Sequence, residues 1–144
     1  MKTTRQQLLI ATSNRGKYEE YKKLLEPIKS KFDLLSLHDL NIHEAPEETG
    51  QSFKENALIK SQYYCKKSGI TTIADDSGLS INALSGAPGI YSARWAGAKN
   101  DFTKAFNKIF KELREKEINI AENKVTAELN CTISYSAPNT LKEN

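Results

Sequence analysis

Short strand-like runs alternate along this chain with segments of helical period, and that alternation restricts the fold more than any other feature. Gln7 to Ala11 is an apolar run that passes into the polar turn TSNRG. In Lys17 to Glu26 the residues Tyr18, Tyr21, Leu24 and Leu25 recur at helical spacing, and Pro27 ends the pattern. Phe32 to Leu37 predicts a second strand. His38 to Gly50 is polar and without period, whereas Ser52 and Glu55 have the spacing of a capping box that opens a helix through about Lys67, with Gly69 to end it. The stretch ADDSGL follows, between the apolar runs Ile70 to Ile73 and Ser80 to Leu84, and predicts a pair of strands joined by a turn. After the glycine-proline loop SGAPGIYSARWAG, an amphipathic helix carries Phe102, Ala105, Phe106, Ile109, Phe110 and Leu113 as an expected core stripe. Val125, Ala127, Leu129, Cys131, Ile133 and Tyr135 alternate with mostly polar residues, the period of a long strand with one buried face. The class is α/β, with no repeat, linker or low-complexity segment.

Composition narrows the partners. A chain of 144 residues with 38% hydrophobic content suits one globular domain over 1–144. Charged residues make up 27% and the net charge is +3, an ordinary balance without the basic excess of a nucleic-acid binder. The apolar run near the start is too short for a signal-peptide core or a membrane span, so the expected location is the cytoplasm. Cys65 and Cys131 lie far apart on apolar patterns and are expected as reduced core thiols. His38 and His43 have no Cys or His cluster around them, which argues against zinc.

The chemistry concentrates in three places. TSNRGK (Thr12, Ser13, Asn14, Arg15, Gly16, Lys17) brings backbone amides, hydroxyls and a lysine to the start of a helix, a setting that suits phosphate. Capping alone explains such a turn equally well. It is not a GxxxxGK[ST] loop, since position 11 is Ala11 and Tyr18 follows Lys17. Asp75 and Asp76 repel each other unless a cation compensates, and Mg²⁺ prefers oxygen ligands of this kind; an Asx turn is the plainer alternative. Glu44, Glu47 and Glu48 form a further acidic cluster, which a solvated charged loop also explains. Lys17, Lys60 and Arg94 are the basic residues able to meet phosphate.

The order and spacing of ATSNRGK, EETGQSFKENALIKS, IADDSGL and GAPGIYSARWAG resemble the inosine triphosphate pyrophosphatase family, the dITP/XTP pyrophosphatases. The resemblance is strong from Leu8 to Gly97 and weaker through the strand near Cys131. It implies a mixed central sheet with flanking helices and hydrolysis of ITP, dITP or XTP to the monophosphate and pyrophosphate, which clears these nucleotides from the pool. It implies Asp76 as metal ligand and general base, Glu47 as the other Mg²⁺ ligand with the adjacent Glu48 as the alternative, and Ser77 as a substrate contact. Thr12 to Lys17 match the nucleotide-contacting turn, and Lys60 and Arg94 the basic residues facing the phosphates. A homodimer acting on a purine nucleoside triphosphate, without nucleic acid or membrane, is the implied assembly.

Members of that family continue into a glycine-aromatic-aspartate segment and a Ser-His-Arg motif that read the purine base. Here no Gly follows Gly97, no His follows His43 and no Arg follows Arg114. The resemblance therefore implies a domain truncated at its C-terminal end, with apolar surface and a strand edge exposed. Either the chain hydrolyses nucleotides, or it is a catalytically impaired nucleotide- and Mg²⁺-binding remnant. With phosphate contacts alone, ITP and ATP are expected to bind within about tenfold of each other.

Overall fold

The computed structural model describes residues 4–141. Four strands, β1 (Gln6–Ile10), β2 (Phe32–Ser36), β3 (Thr72–Ile81) and β4 (Ala127–Ser136), form one sheet in the order β2-β1-β3-β4. The helices are α1 (Arg15–Leu24), α2 (Phe53–Ser68), α3 (Ser92–Ala96) and α4 (Phe102–Glu115). This is the mixed sheet with flanking helices that the resemblance implies. The chain divides into two compact units, one running through Asp75 and resuming at Ile133, the other Asp76–Thr132.

In the first unit β1 is parallel to β2, Gln6 opposite Phe32 through Ile10 opposite Ser36, and to β3, where Leu9 faces Thr72. A strand with parallel neighbours on both sides is covered on both faces, which is why Leu8, Leu9 and Ile10 are consecutive and all buried. Leu9, Ala11, Leu37, Tyr64 and Ala74 make the core. Ser52 caps α2 by accepting the Glu55 amide at 3.1 Å. Gly69 ends that helix at φ 69°, a left-handed conformation that glycine enters without a Cβ clash. α1 starts at Arg15, ahead of the periodic residues, because the Asn14 side chain accepts the Lys17 amide at 3.1 Å.

The second unit has its own core of Ile81, Leu84, Ile109 and Leu113, with Trp95 and Val125 packed against it. Asp101 caps α4 by accepting the Lys104 amide at 3.2 Å.

Three expectations are corrected. ADDSGL is not a turn between two strands: β3 runs unbroken through it from Thr72 to Ile81, and the chain turns later, where Asn82–Leu84 is a 3-10 turn and Gly86 has φ 90°. Tertiary pairing overrides the turn propensity of Asp, Ser and Gly: β3 lies between β1, which meets it at Thr72 and Ile73, and β4. The α4 stripe is only half core. Ala105, Ile109 and Leu113 are buried, while Phe102, at the first position of the helix, and Phe106 and Phe110, each one residue on from a buried position, are exposed.

The third correction concerns β4, whose apolar row faces outward. Leu129 is 88% exposed and Ile133 and Tyr135 are exposed with it. The polar alternates take the covered side: in the first unit the Ser61 Oγ lies 2.7 Å from both Ser134 Oγ and Ser136 Oγ, and in the second the Asn130 amide donates to Ser80 Oγ at 3.1 Å. Hydroxyls on α2 and β3 select polar partners, and a period of two then turns every apolar side chain of β4 outward.

Cys131 belongs to that outward row and is exposed, against expectation, while Cys65 is buried and burial pushes its thiol up. A thiol reagent at neutral pH should therefore label Cys131 at once and Cys65 only after denaturant is added. Rapid labelling of both in the native protein would contradict this packing.

Candidate functional site

The turn after β1 is rigid because it is hydrogen-bonded to itself. Thr12 Oγ1 accepts the Asn14 amide at 3.1 Å, and the Asn14 carboxamide in turn accepts the Lys17 amide. A Cβ at Gly16 would stand 3.2 Å from Asn14 Oδ1, so glycine leaves room for the cap. Asn14 is thus spent on capping, whereas Ser13 and Arg15 are exposed at the start of a helix whose dipole attracts anions. Beside the turn lies a cleft of about 680 Å³ bordered by Thr12, Ser13, Arg15, Tyr18, His38 and His43. The sequence reading used the two histidines only to argue against zinc; no periodicity or spacing marks them as cleft residues.

Two lysines of the first unit, Lys17 and Lys60, each stand on an acid from an acidic doublet. Lys17 Nζ is 2.7 Å from Asp75 Oδ2, with the Asp75 side chain 4% exposed and that of Lys17 35% exposed. Lys60 Nζ is 2.6 Å from Glu48 Oε1. The third acid of the loop, Glu44, pairs with Lys67, whose hydrogen bond and charge hold its carboxyl below the usual carboxylate range, and the Glu44 carbonyl accepts from Tyr64 Oη at 3.3 Å. Glu47 is exposed on the same loop. From the sequence Glu48 is an alternative metal ligand to Glu47, and Asp75 forms a self-repelling pair with Asp76; the structure gives each a lysine. Their ion pairs span long separations in the chain, and no local pattern announces them.

In the second unit Asp76 is buried at 7% exposure and Ser77 is half-buried. Arg94 lies on α3, exposed, with its guanidinium 4.9 Å over the Tyr91 ring. Ser92 Oγ accepts the Leu79 amide at 2.9 Å and donates to the Gly89 carbonyl at 2.6 Å, which fastens α3 to β3.

Among the described residues no three His, Cys, Asp or Glu side chains converge as a preformed metal cage. The donor set still fits Mg²⁺, which takes one or two carboxylates and completes its octahedron with water and substrate phosphate oxygens. Every acid named above supplies hard oxygen.

A sequence profile of the Ham1 family matches residues 8–144. The dITP/XTP pyrophosphatase of Bacillus licheniformis is 40% identical over 132 residues, 92% of this chain and 64% of that protein. That of Bacillus subtilis is 42% identical over 130 residues, 90% of this chain and 63% of the relative. Among solved structures, the Ham1 protein of Staphylococcus aureus superposes with a TM-score of 0.76 at 34% identity, covering 94% of this chain and 66% of its own. This chain therefore spans a little under two thirds of the length of these curated relatives.

Proposed function

Because the chain belongs to the Ham1 family, we propose that it hydrolyses non-standard purine nucleoside triphosphates, ITP, dITP and XTP, to the monophosphate and pyrophosphate, with Mg²⁺ as cofactor. The observation that carries the reading is the division of labour within two acidic doublets. In Glu47–Glu48 one member, Glu48, meets Lys60, and in Asp75–Asp76 one member, Asp75, meets Lys17. Glu48 and Asp75 hold Lys60 and Lys17 as fixed cations; Glu47 and Asp76 are the metal ligands. The names of the relatives, dITP/XTP pyrophosphatase, support the substrate class.

Each residue then has a physical task. Mg²⁺, when bound, neutralises triphosphate charge and polarises the bond that breaks. Asp76, buried at the sheet, orients the attacking water and takes its proton as a general base. Lys17, Lys60 and Arg94 balance the charge that accumulates on the departing pyrophosphate. The amides and hydroxyls of Thr12, Ser13, Arg15 and Gly16 seat the nucleotide at the start of α1, with Asn14 as the cap that shapes them, and Ser77 is a further substrate contact. The expected setting is the cytoplasmic nucleotide pool and the expected assembly a homodimer; separately, no described helix is long and apolar enough to cross a membrane.

The test is product analysis with ITP and Mg²⁺. The expected products are IMP and pyrophosphate in equal amounts, with release abolished by a chelator. Orthophosphate as the first product would place the cleavage elsewhere and overturn the assignment. The short span relative to the curated relatives favours a second reading, an impaired nucleotide-binding remnant. Calorimetric binding of Mg-ITP without turnover would select it.

A further inference from the structure

Asn56 lies one turn before Lys60 on α2 and is 2% exposed, a buried amide at a position where an amphipathic helix ordinarily presents an aliphatic side chain. Its Oδ1 accepts the Gly50 amide at 2.7 Å. The approach is so close that a Cβ on residue 50 would stand 2.5 Å from that oxygen, 2.8 Å from Glu55 Cβ and 2.9 Å from the Asn56 amide nitrogen. The next residue is held as well, since the Gln51 amide donates to Glu55 Oε2 at 2.6 Å. Two residues before Gly50, the Glu48 carboxylate meets Lys60. The segment Glu47 to Gln51 is thus clamped against the first two turns of α2 at three successive points, of which Gly50 to Asn56 engages a side chain that is almost fully buried.

We infer that Asn56 and Gly50 are positioning residues whose contact fixes the backbone that carries Glu47, so that this carboxylate is held in place for Mg²⁺ before the metal arrives. The inference rests on the proposed role of Glu47 as a metal ligand. Physically, a ligand on a tethered loop gives up little conformational freedom when the metal binds, whereas a ligand on a loose loop must be ordered at that moment. The Asn56 side chain touches neither metal nor substrate. It acts through the Gly50 backbone, and glycine is required because any side chain there would collide with the clamp itself.

The experiment uses the whole chain with Mg²⁺ and the non-hydrolysable analogue α,β-methylene inosine triphosphate. Mg²⁺ affinity is read by calorimetry at saturating analogue, and exchange of the Gly50 amide proton by NMR. Asn56→Ala is expected to speed Gly50 exchange at least tenfold and to weaken Mg²⁺ about tenfold. Asn56→Asp keeps an acceptor oxygen and should restore most of both. Gly50→Ala leaves Asn56 intact yet should weaken Mg²⁺ to the same extent, which keeps the inference testable if Asn56→Ala folds poorly. Faster Gly50 exchange with unchanged Mg²⁺ affinity would overturn it, leaving Asn56 a stabilising residue alone. No Mg²⁺ binding by the parent chain would overturn the proposed function and this inference together, whereas parent binding that both variants retain overturns the inference only.

Discussion

Replacing Asp76 by Asn is expected to lower Mg²⁺-dependent pyrophosphate release by at least about a hundredfold, the range associated with loss of a general base. The amide is nearly the same size, so the buried position stays filled and the fold should survive. It is a poorer metal ligand, however, and it cannot take a proton from water. Rates with ITP should be compared at saturating Mg²⁺, where a pure binding defect would be compensated and a lost base would not. A folded variant that kept most of the parent rate would show that Asp76 is not the group that activates water. Asp75→Asn should be milder, because Asp75 is engaged with Lys17 and bears on the chemistry only through it.

Lys17→Met separates two tasks of one ammonium group. As a phosphate partner, its loss is expected to slow pyrophosphate release about a hundredfold, the scale for removing one charge-stabilising donor. As the counter-ion of Asp75, its loss leaves a buried carboxylate without the Lys17 charge. Breaking such a pair costs about 3–5 kcal/mol when both partners are buried. Since the Lys17 side chain is 35% exposed, about 2 kcal/mol is the expected loss of stability here. The double variant Lys17→Met with Asp75→Asn removes both charges, so stability should recover most of the way to the parent while activity stays low. Recovery of both together would mean that Lys17 serves the ion pair alone. Failure of stability to recover would mean that Asp75 draws its main stabilisation from other neighbours.

These tests follow from partnerships that the linear chain does not display, although much else was legible in it. The caps were readable because each is a local bargain between a side chain and an amide a few residues away: Ser52 with Glu55, and the left-handed Gly69 at the end of α2. The apolar run Gln7 to Ala11 was readable as a strand by the same locality. The motifs carried the family, and the profile match over residues 8–144 agrees with them. Asn56 escaped notice because, inside a helical pattern, a buried amide and a solvated one have the same letter.

The order of strands and helices, their caps and the family were therefore determined by the sequence itself, since period, capping and motif all act over a few residues. Tertiary structure decided the rest. ADDSGL became part of one strand because β3 lies between β1 and β4 in the sheet. The apolar row of β4 faces outward because strand facing depends on which partner a strand meets, and one residue of register exchanges its two faces. Asp75 met Lys17 and Glu48 met Lys60 through tertiary packing of helices against strand and loop. A carboxylate's role depends on the cation the fold carries to it, and that distance is not written in the spacing of the chain.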